Sequence, residues 1–206
     1  MTSSPPYPAD TPLGRQLHFI AELDKLKLVL RQSLVAGELR RENSAEHSWH
    51  LAMMTLVLLE HAPATGLDVL RVLKMALIHD IVEIDAGDTF YYDASGYDTK
   101  TAREKAAADR LFALLPGGKG AELRALWEEF EAEATPESRW AQALDRLQAV
   151  LQNLHTGGAA WRRHRVAKAD VLKRNQKIAD TVPAVWAELV RQLDWAEGQG
   201  FFAPAA

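Results

Sequence analysis

Within ten residues, HDIVEIDAGD places His79, Asp80, Glu83 and Asp88, side chains that bind divalent cations and move protons. The stretch leading to them is apolar on nearly every side: Val69-Leu70, Val72-Leu73 and Met75-Ala76-Leu77-Ile78, with Ile81-Val82 following. A helix of that composition is a buried one. A buried carboxylate must be ion-paired, hydrogen-bonded or bound to a metal, because desolvating it alone costs too much. With a histidine beside it, a divalent metal is the simplest partner. The expectation is metal-dependent chemistry.

Other candidate ligands are weaker on their own. On a helical wheel His47 sits amid Leu51, Met54 and Leu58, the middle of an apolar stripe, where a lone histidine is more often core than ligand. His50, one turn on, flanks the same stripe and reads as core or as a group behind a ligand. His79 lies over Met75 and Val72 with Glu83 one turn further, and Asp80 is about 100° round the helix, so one metal could take both. A site with two imidazoles and one carboxylate calls for another oxygen ligand. Asp145 is a candidate, but it lies opposite the stripe Trp140, Leu144, Leu147, Leu151, Leu154. Its own face carries Ala141, Gln148, Ala149 and Gln152; small neighbours would admit a metal, and so would plain solvent. Periodicity alone favours exposure for Asp145.

The elements that must position these residues read as helices almost throughout. Thr11-Pro12 suits a cap and a first-turn proline, opening a helix through Leu17, Ile20, Leu23, Leu26 and Leu30. Asn43 with Glu46 forms a capping box for a helix over residues 45–62, and Asp68 caps the next. Residues 87–99 read as a loop, with one strand-like patch at 89–92. Further helices are expected over 101–115, 121–134 and from Thr135-Pro136 to Thr156-Gly157-Gly158. The last, over 167–197, should kink or break at Pro183. The reading is all-α, one helical bundle over residues 11–206 behind a short disordered arm at 1–10.

Composition narrows the function. The 206 residues suffice for one well-buried core, and 48% apolar with 25% charged residues is ordinary for a globular chain. A net charge of −4 gives no global attraction to nucleic acid or anionic membrane. The absence of cysteine excludes thiolate metal sites and disulfides and suits a reducing cytoplasm. The longest uncharged apolar run, residues 51–59, is far short of the ~20 residues a membrane span needs. MTSSPPYPAD has neither a basic nor an apolar region of the kind a secretion signal requires. Charge is uneven, with six acids against one base in residues 122–137 and seven bases against one acid in 161–177. Such runs are usually solvated faces; the basic one could instead meet phosphates or the acidic run of a second subunit.

Taken in order, His47, His79-Asp80 and Asp145 reproduce an H…HD…D pattern. With LDKLKLVLR, RRENSAEHSWHLAMM, HDIVEIDAGD and LWEEFEAEATPESRWAQALDRLQAVLQ, the chain resembles the HD-domain metal-dependent phosphohydrolases over about residues 17–155. Within them it resembles the branch of nucleotidases that includes the bacterial 5′-deoxynucleotidases. The resemblance implies an all-α fold, commonly a homodimer, with one divalent metal on His47, His79, Asp80 and Asp145. It implies acid–base or water-positioning roles for Glu83 and Asp88, and phosphate binding by Arg31, which alone would read as an exposed helix cation. Two departures stand out: Gln32 where the bacterial enzymes have a tryptophan, and the aromatic loop TFYYDASGYDTK after Asp88.

A donor set of two imidazoles and two carboxylates suits Mn²⁺, Co²⁺, Fe²⁺, Ni²⁺ or Zn²⁺ better than an all-oxygen Mg²⁺ site, though Mg²⁺ is possible. The expected activity is hydrolysis of a nucleoside 5′-monophosphate. Alternatives are a phosphoanhydride or phosphodiester substrate, or a silent metal- or nucleotide-binding scaffold. Tyr91, Tyr92 and Tyr97 could stack on a base, or could simply pack on the surface or across a dimer contact.

Overall fold

The computed structural model describes residues 10–37, 40–62, 66–89 and 94–203, the side chains of 94–97 excepted. The expected arm falls largely outside these residues, as do Tyr91, Tyr92 and most of the strand-like patch. Thr11 caps helix α1 (Pro12–Leu23) by accepting from the Gly14 N–H, as its sequence signal implies. The helix does not continue to Leu30. It tightens into a 3₁₀ turn over Asp24–Leu28 and gives way to strand β1 (Leu30–Leu34), antiparallel to β2 (Arg41–Asn43). The register pairs Leu30 with Asn43 and Leu34 with Arg41, with an irregularity between.

The apolar repeat that argued for helix outruns burial here, since Leu28 is 79% and Leu30 47% exposed. Long-range bonds decide instead. Ser44 N–H donates to the Val29 carbonyl at 3.0 Å, and the Arg41 guanidinium donates to the carbonyls of Leu30 and Arg31. Arg31 is therefore on a strand rather than a helix.

Asn43 and Glu46 form the expected capping box of α2 (Ser44–Val57), which ends earlier than residue 62, in a 3₁₀ turn at Leu59–His61. Asp68 caps α3 (Val69–Ile78) by accepting from Arg71 N–H. A short α4 (Glu83–Ala86) ends at Gly87, whose φ of 73° is open to glycine at little cost and turns the chain so that Asp88 comes back to the same wall. The expected loop is shorter than it reads, because α5 spans Ala94–Phe112. Its first turns, including the unfavourable Gly96, are supported by Lys100–Glu104 pairing at 2.8 Å and by Arg103, which bonds to Thr89 Oγ1 at 2.9 Å and to the Ala86 carbonyl.

Helix α6 (Lys119–Ala132) and helix α7 (Pro136–His155), the latter capped by Thr135, follow much as read. The final stretch is broken more often than Pro183 alone requires: α8 (Ala159–Arg163), α9 (Lys168–Arg174), α10 (Gln176–Thr181) and α11 (Pro183–Gly198). The extra break falls at Asn175, whose side chain bonds back to the Val171 carbonyl at 2.8 Å. Part of the basic run meets the acidic one inside the chain, Lys177 pairing with Glu133.

Helix α7 is the axis of the fold, touching α2, α3, α6, α10, α11 and β1. Trp140, Ala141 and Leu144 on it are fully buried, together with Leu51 of α2, Met75 and Ala76 of α3, and Leu111 of α5. This packing brings the first turn of α2, the end of α3 and the middle of α7 to one point.

Candidate metal centre

His47 lies in the first turn of α2, His79 caps the end of α3 with Asp80 next to it, and Asp145 faces them from α7. Burial of the flanking apolar stripes turns both imidazoles inward, and His47 is wholly buried. Their Nε2 atoms stand 3.2 Å apart. His47 Nε2 is 2.9 Å from Asp145 Oδ1 and 3.8 Å from Asp80 Oδ2, and His79 Nε2 is 3.1 Å from Asp80 Oδ1. His79 Nδ1 lies 3.0 Å from the Ala76 carbonyl and donates its proton there, leaving the Nε2 lone pair for the cluster.

Asp145 corrects the periodicity reading. Its side chain is only 25% exposed. It faces away from the main apolar stripe, yet α7 is covered on that side too, by the β1–β2 hairpin and by α2.

The donor set fits a divalent cation. Adjacent ligands of a six-coordinate ion bound at about 2.1 Å stand roughly 3 Å apart, which matches three of the four separations above. Charge argues the same way. Burial pushes the Asp80 carboxyl up to about 8, against the pull of Arg31, so this acid carries a proton at neutral pH unless positive charge is supplied. Burial, with Arg31 adding to it, drives His47 down to about 3, and burial likewise lowers His79, so both rings are neutral donors. Burial also works against the charge on Asp145, but without a cation the hydrogen bond from His47 Nε2–H and the nearby Arg31 outweigh it and hold the group below the ordinary carboxylate range; binding a cation through Nε2 requires that proton on Nδ1 instead. His47, His79 and Asp80 bring ligand atoms within 4.8 Å of one another; Asp145 is not in that group and meets it through His47.

The remaining candidates surround this cluster. Arg31 donates from Nη1 to Asp80 Oδ2 at 2.9 Å and reaches Asp145 Oδ1 at 3.9 Å through Nη2. Burial opposes its charge, but Asp80, Asp145, Asp88 and Glu83 overcome that and keep it firmly protonated. Glu83, at the start of α4, is buried and accepts from Ser44 Oγ at 2.7 Å. Burial and the neighbouring Asp80 raise its pKa well above that of a free carboxylate. Burial raises Asp88 as well, against Arg31 and Arg41. His50 sits behind the cluster, 3.3 Å from Gln148 Nε2.

Arg31, Gln32, His79, Asp80, Glu83, Asp88 and Asp145 all line one cavity of about 290 Å³, which runs along α7 through Ala149 and Asn153 to Trp161. Among the lining residues with no role assigned from the sequence are the cations Lys100 and Arg146. Glu42, likewise unassigned, lies 2% exposed behind Arg31 and His47. In the sequence Glu42 stands within RRENSAEHSWHLAMM, one of the stretches that carry the resemblance, with no role of its own.

An all-α scaffold with a buried cluster of nitrogen and oxygen donors beside a guanidinium is a defined class of site. The HD domain matches residues 23–186. The chain is 30% identical over 141 residues to the 5′-deoxynucleotidase HDDC2 of Danio rerio, covering 68% of each. It is 32% identical over 163 residues to a 5′-deoxynucleotidase of Erwinia tasmaniensis, covering 76% of this chain and 81% of that one. It also superposes on the crystal structure of a predicted metal-dependent phosphohydrolase from Magnetospirillum magnetotacticum MS-1. There the TM-score is 0.89 at 46% identity, over 95% of this chain and 97% of that one. The chain belongs to the HD-domain family.

Proposed function

We propose that the protein is a metal-dependent phosphomonoesterase that hydrolyses deoxy- or ribonucleoside 5′-monophosphates to nucleoside and phosphate. The observation that carries this reading is the placement of Arg31, whose guanidinium spans Asp80 and Asp145 at the mouth of the metal cluster. A planar cation beside a metal-binding donor set grips a phosphoryl group from two sides. The similarity to 5′-deoxynucleotidases supports the substrate class. So does the cavity, whose extension along α7 offers room for a sugar and base beyond the phosphate.

In this reading His47, His79, Asp80 and Asp145 hold one divalent ion, with Mn²⁺, Co²⁺, Fe²⁺, Ni²⁺ or Zn²⁺ preferred to Mg²⁺ on donor chemistry. When bound, the ion polarises the phosphoryl group and lowers the pKa of water. Arg31 binds the non-bridging phosphate oxygens and fixes the phosphorus for in-line attack. Glu83, its carboxylate oriented by Ser44 Oγ, accepts the proton of the attacking water. Asp88, its pKa raised by burial, stands on the same cavity wall to donate a proton to the leaving oxygen of the nucleoside.

The protein acts in this proposal as a cytoplasmic homodimer. Its cysteine-free composition suits a reducing compartment. Trp49, Met53, Leu56 and Val57 form an exposed apolar face of α2 suited to a second copy. No helix among the described residues is long and apolar enough to cross a membrane.

The deciding experiment is elemental analysis of the purified protein followed by phosphate release from a mononucleotide panel with Mn²⁺ or Co²⁺. Inorganic phosphate and nucleoside in equal amounts are expected. Pyrophosphate or diester cleavage products would redirect the substrate assignment, and bound metal without turnover of any phosphate ester would reduce the protein to a scaffold. Light scattering at micromolar concentration tests the dimer.

A further inference from the structure

Glu42 sits where the two halves of the site meet. It lies on β2, away from the cavity lining, and its carboxylate is almost fully buried. Oε1 accepts two amide donors from α7, Gln148 Nε2 at 2.8 Å and Gln152 Nε2 at 2.6 Å. Oε2 points the other way, 3.5 Å from Arg31 Nε and 3.9 Å from His47 Nδ1. These three atoms are all buried, and none has a hydrogen-bond partner. With the His47 proton on Nδ1, two are donors and one is an acceptor lying between them, each within an ångström or so of bonding distance by the usual limit of roughly 3 Å. Leaving all three unmade would cost several desolvation penalties at once.

We propose that Glu42 is the positioning residue that ties the phosphate-binding arm to the metal centre, one carboxylate oxygen drawing Arg31 Nε–H and His47 Nδ1–H to itself. The inference rests on the metal and phosphate roles proposed above and adds a group to which no role has yet been given. A proton held on Nδ1 leaves the His47 Nε2 lone pair facing Asp145 and His79, as a metal ligand requires. A bond to Nε fixes the guanidinium plane by its inner edge, so that Nη1 and Nη2 face the cavity. The two glutamines hold the carboxylate from behind and connect it to the helix that carries Asp145.

The test uses the full chain, with Mn²⁺ titrated calorimetrically into metal-free protein and mononucleotide kinetics measured beside it. Glu42→Gln keeps the size, removes the charge and leaves one acceptor oxygen for two pairs of donors, so an NH2 group must face either the two glutamines or Arg31 and His47. It is expected to weaken Mn²⁺ binding by roughly 10–100-fold. It should also raise KM about tenfold, while kcat at saturating metal and substrate stays within a few-fold of the parent. In a double-mutant cycle with Arg31→Lys the KM effects should be strongly non-additive, because both changes break one contact. Gln152→Met leaves the charge of Glu42 but loosens its seat; it should give both changes at smaller size, and it decides the matter if Glu42→Gln does not fold. Unchanged Mn²⁺ affinity and KM with lowered thermal stability would overturn the proposal, as would an additive cycle. A parent protein that binds no Mn²⁺ would defeat the metal reading itself; a parent that binds while the variants match it would defeat only the role of Glu42.

Discussion

The site is built from two regions held by different forces. The helical region, α2, α3 and α7, is cemented by apolar packing: Leu51, Met75, Ala76, Trp140 and Leu144 are fully buried around His47 and His79. The hairpin region, β1 and β2, is half-buried and held by polar ties, chiefly Arg41 to the carbonyls of Leu30 and Arg31 and Ser44 N–H to Val29. Dense packing fixes donor atoms to fractions of an ångström and suits coordination. A short, partly exposed hairpin can adjust, which suits an arm that must close on a phosphate and let it go. The metal ligands proposed above come from the first region and the proposed phosphate arm, Arg31, from the second.

Substitutions can break that division. The largest effect is expected from Asp80→Ala, which should abolish metal binding and turnover together. It should also erase the metal-dependent rise in melting temperature, which in the parent corresponds to ~2.7 kcal/mol at a hundredfold excess of metal over Kd. Stoichiometric metal in this variant, read by elemental analysis, would show the cluster to be wrongly assigned. Next comes Glu83→Gln, which preserves shape while removing basicity. Turnover should fall roughly 10²–10⁴-fold at near-normal metal content. Loss of metal would make Glu83 a ligand, and retained activity would make it a structural carboxylate.

The hairpin side should respond differently. Arg31→Lys keeps the charge but loses the planar fork, so KM should rise roughly 10–100-fold, as expected when a charge-assisted hydrogen bond worth ~1.5–3 kcal/mol is lost, with metal affinity little changed. Metal loss equal to that in Asp80→Ala would erase the distinction between the regions. The smallest effect belongs to Arg41→Ala, which unties the hairpin without entering the metal cluster. Stability should drop by ~1 kcal/mol and KM rise a few-fold. A chemical-denaturation curve and a Michaelis plot at saturating Mn²⁺ check both.

The same division governs what the sequence reveals. Caps at Thr11, Asn43, Asp68 and Thr135 are local signals, satisfied by neighbours within three residues, and each starts its helix where read. The run into His79-Asp80 is legible as an apolar helix, but not one buried on every side: Val72, Met75, Ala76 and Ile78 face the core, while Leu70 is 62% and Leu77 53% exposed. Arg31 is misplaced on a helix because its strand is defined by residues ten or more positions away, which no periodicity records. Asp145 looks exposed because the wheel sees only the stripe facing the main core and not the second layer on its other side. Resemblance to a family supplied what spacing could not. Glu42 escaped both, since a charged residue between Arg41 and Asn43 looks like a turn until the fold lays α7 across it.

His47 and Asp145 sit on α2 and α7, and His79 with Asp80 at the end of α3; the two histidines are 32 residues apart and each helix is brought in by tertiary packing. Groups so far apart along the chain meet only after most of the native topology has formed, so a cation has little to grip in the folding transition state. Its stabilisation then falls on the return journey. Added metal should slow unfolding and leave the refolding rate nearly unchanged, making the ion a latch on the finished molecule and not a nucleus for building it.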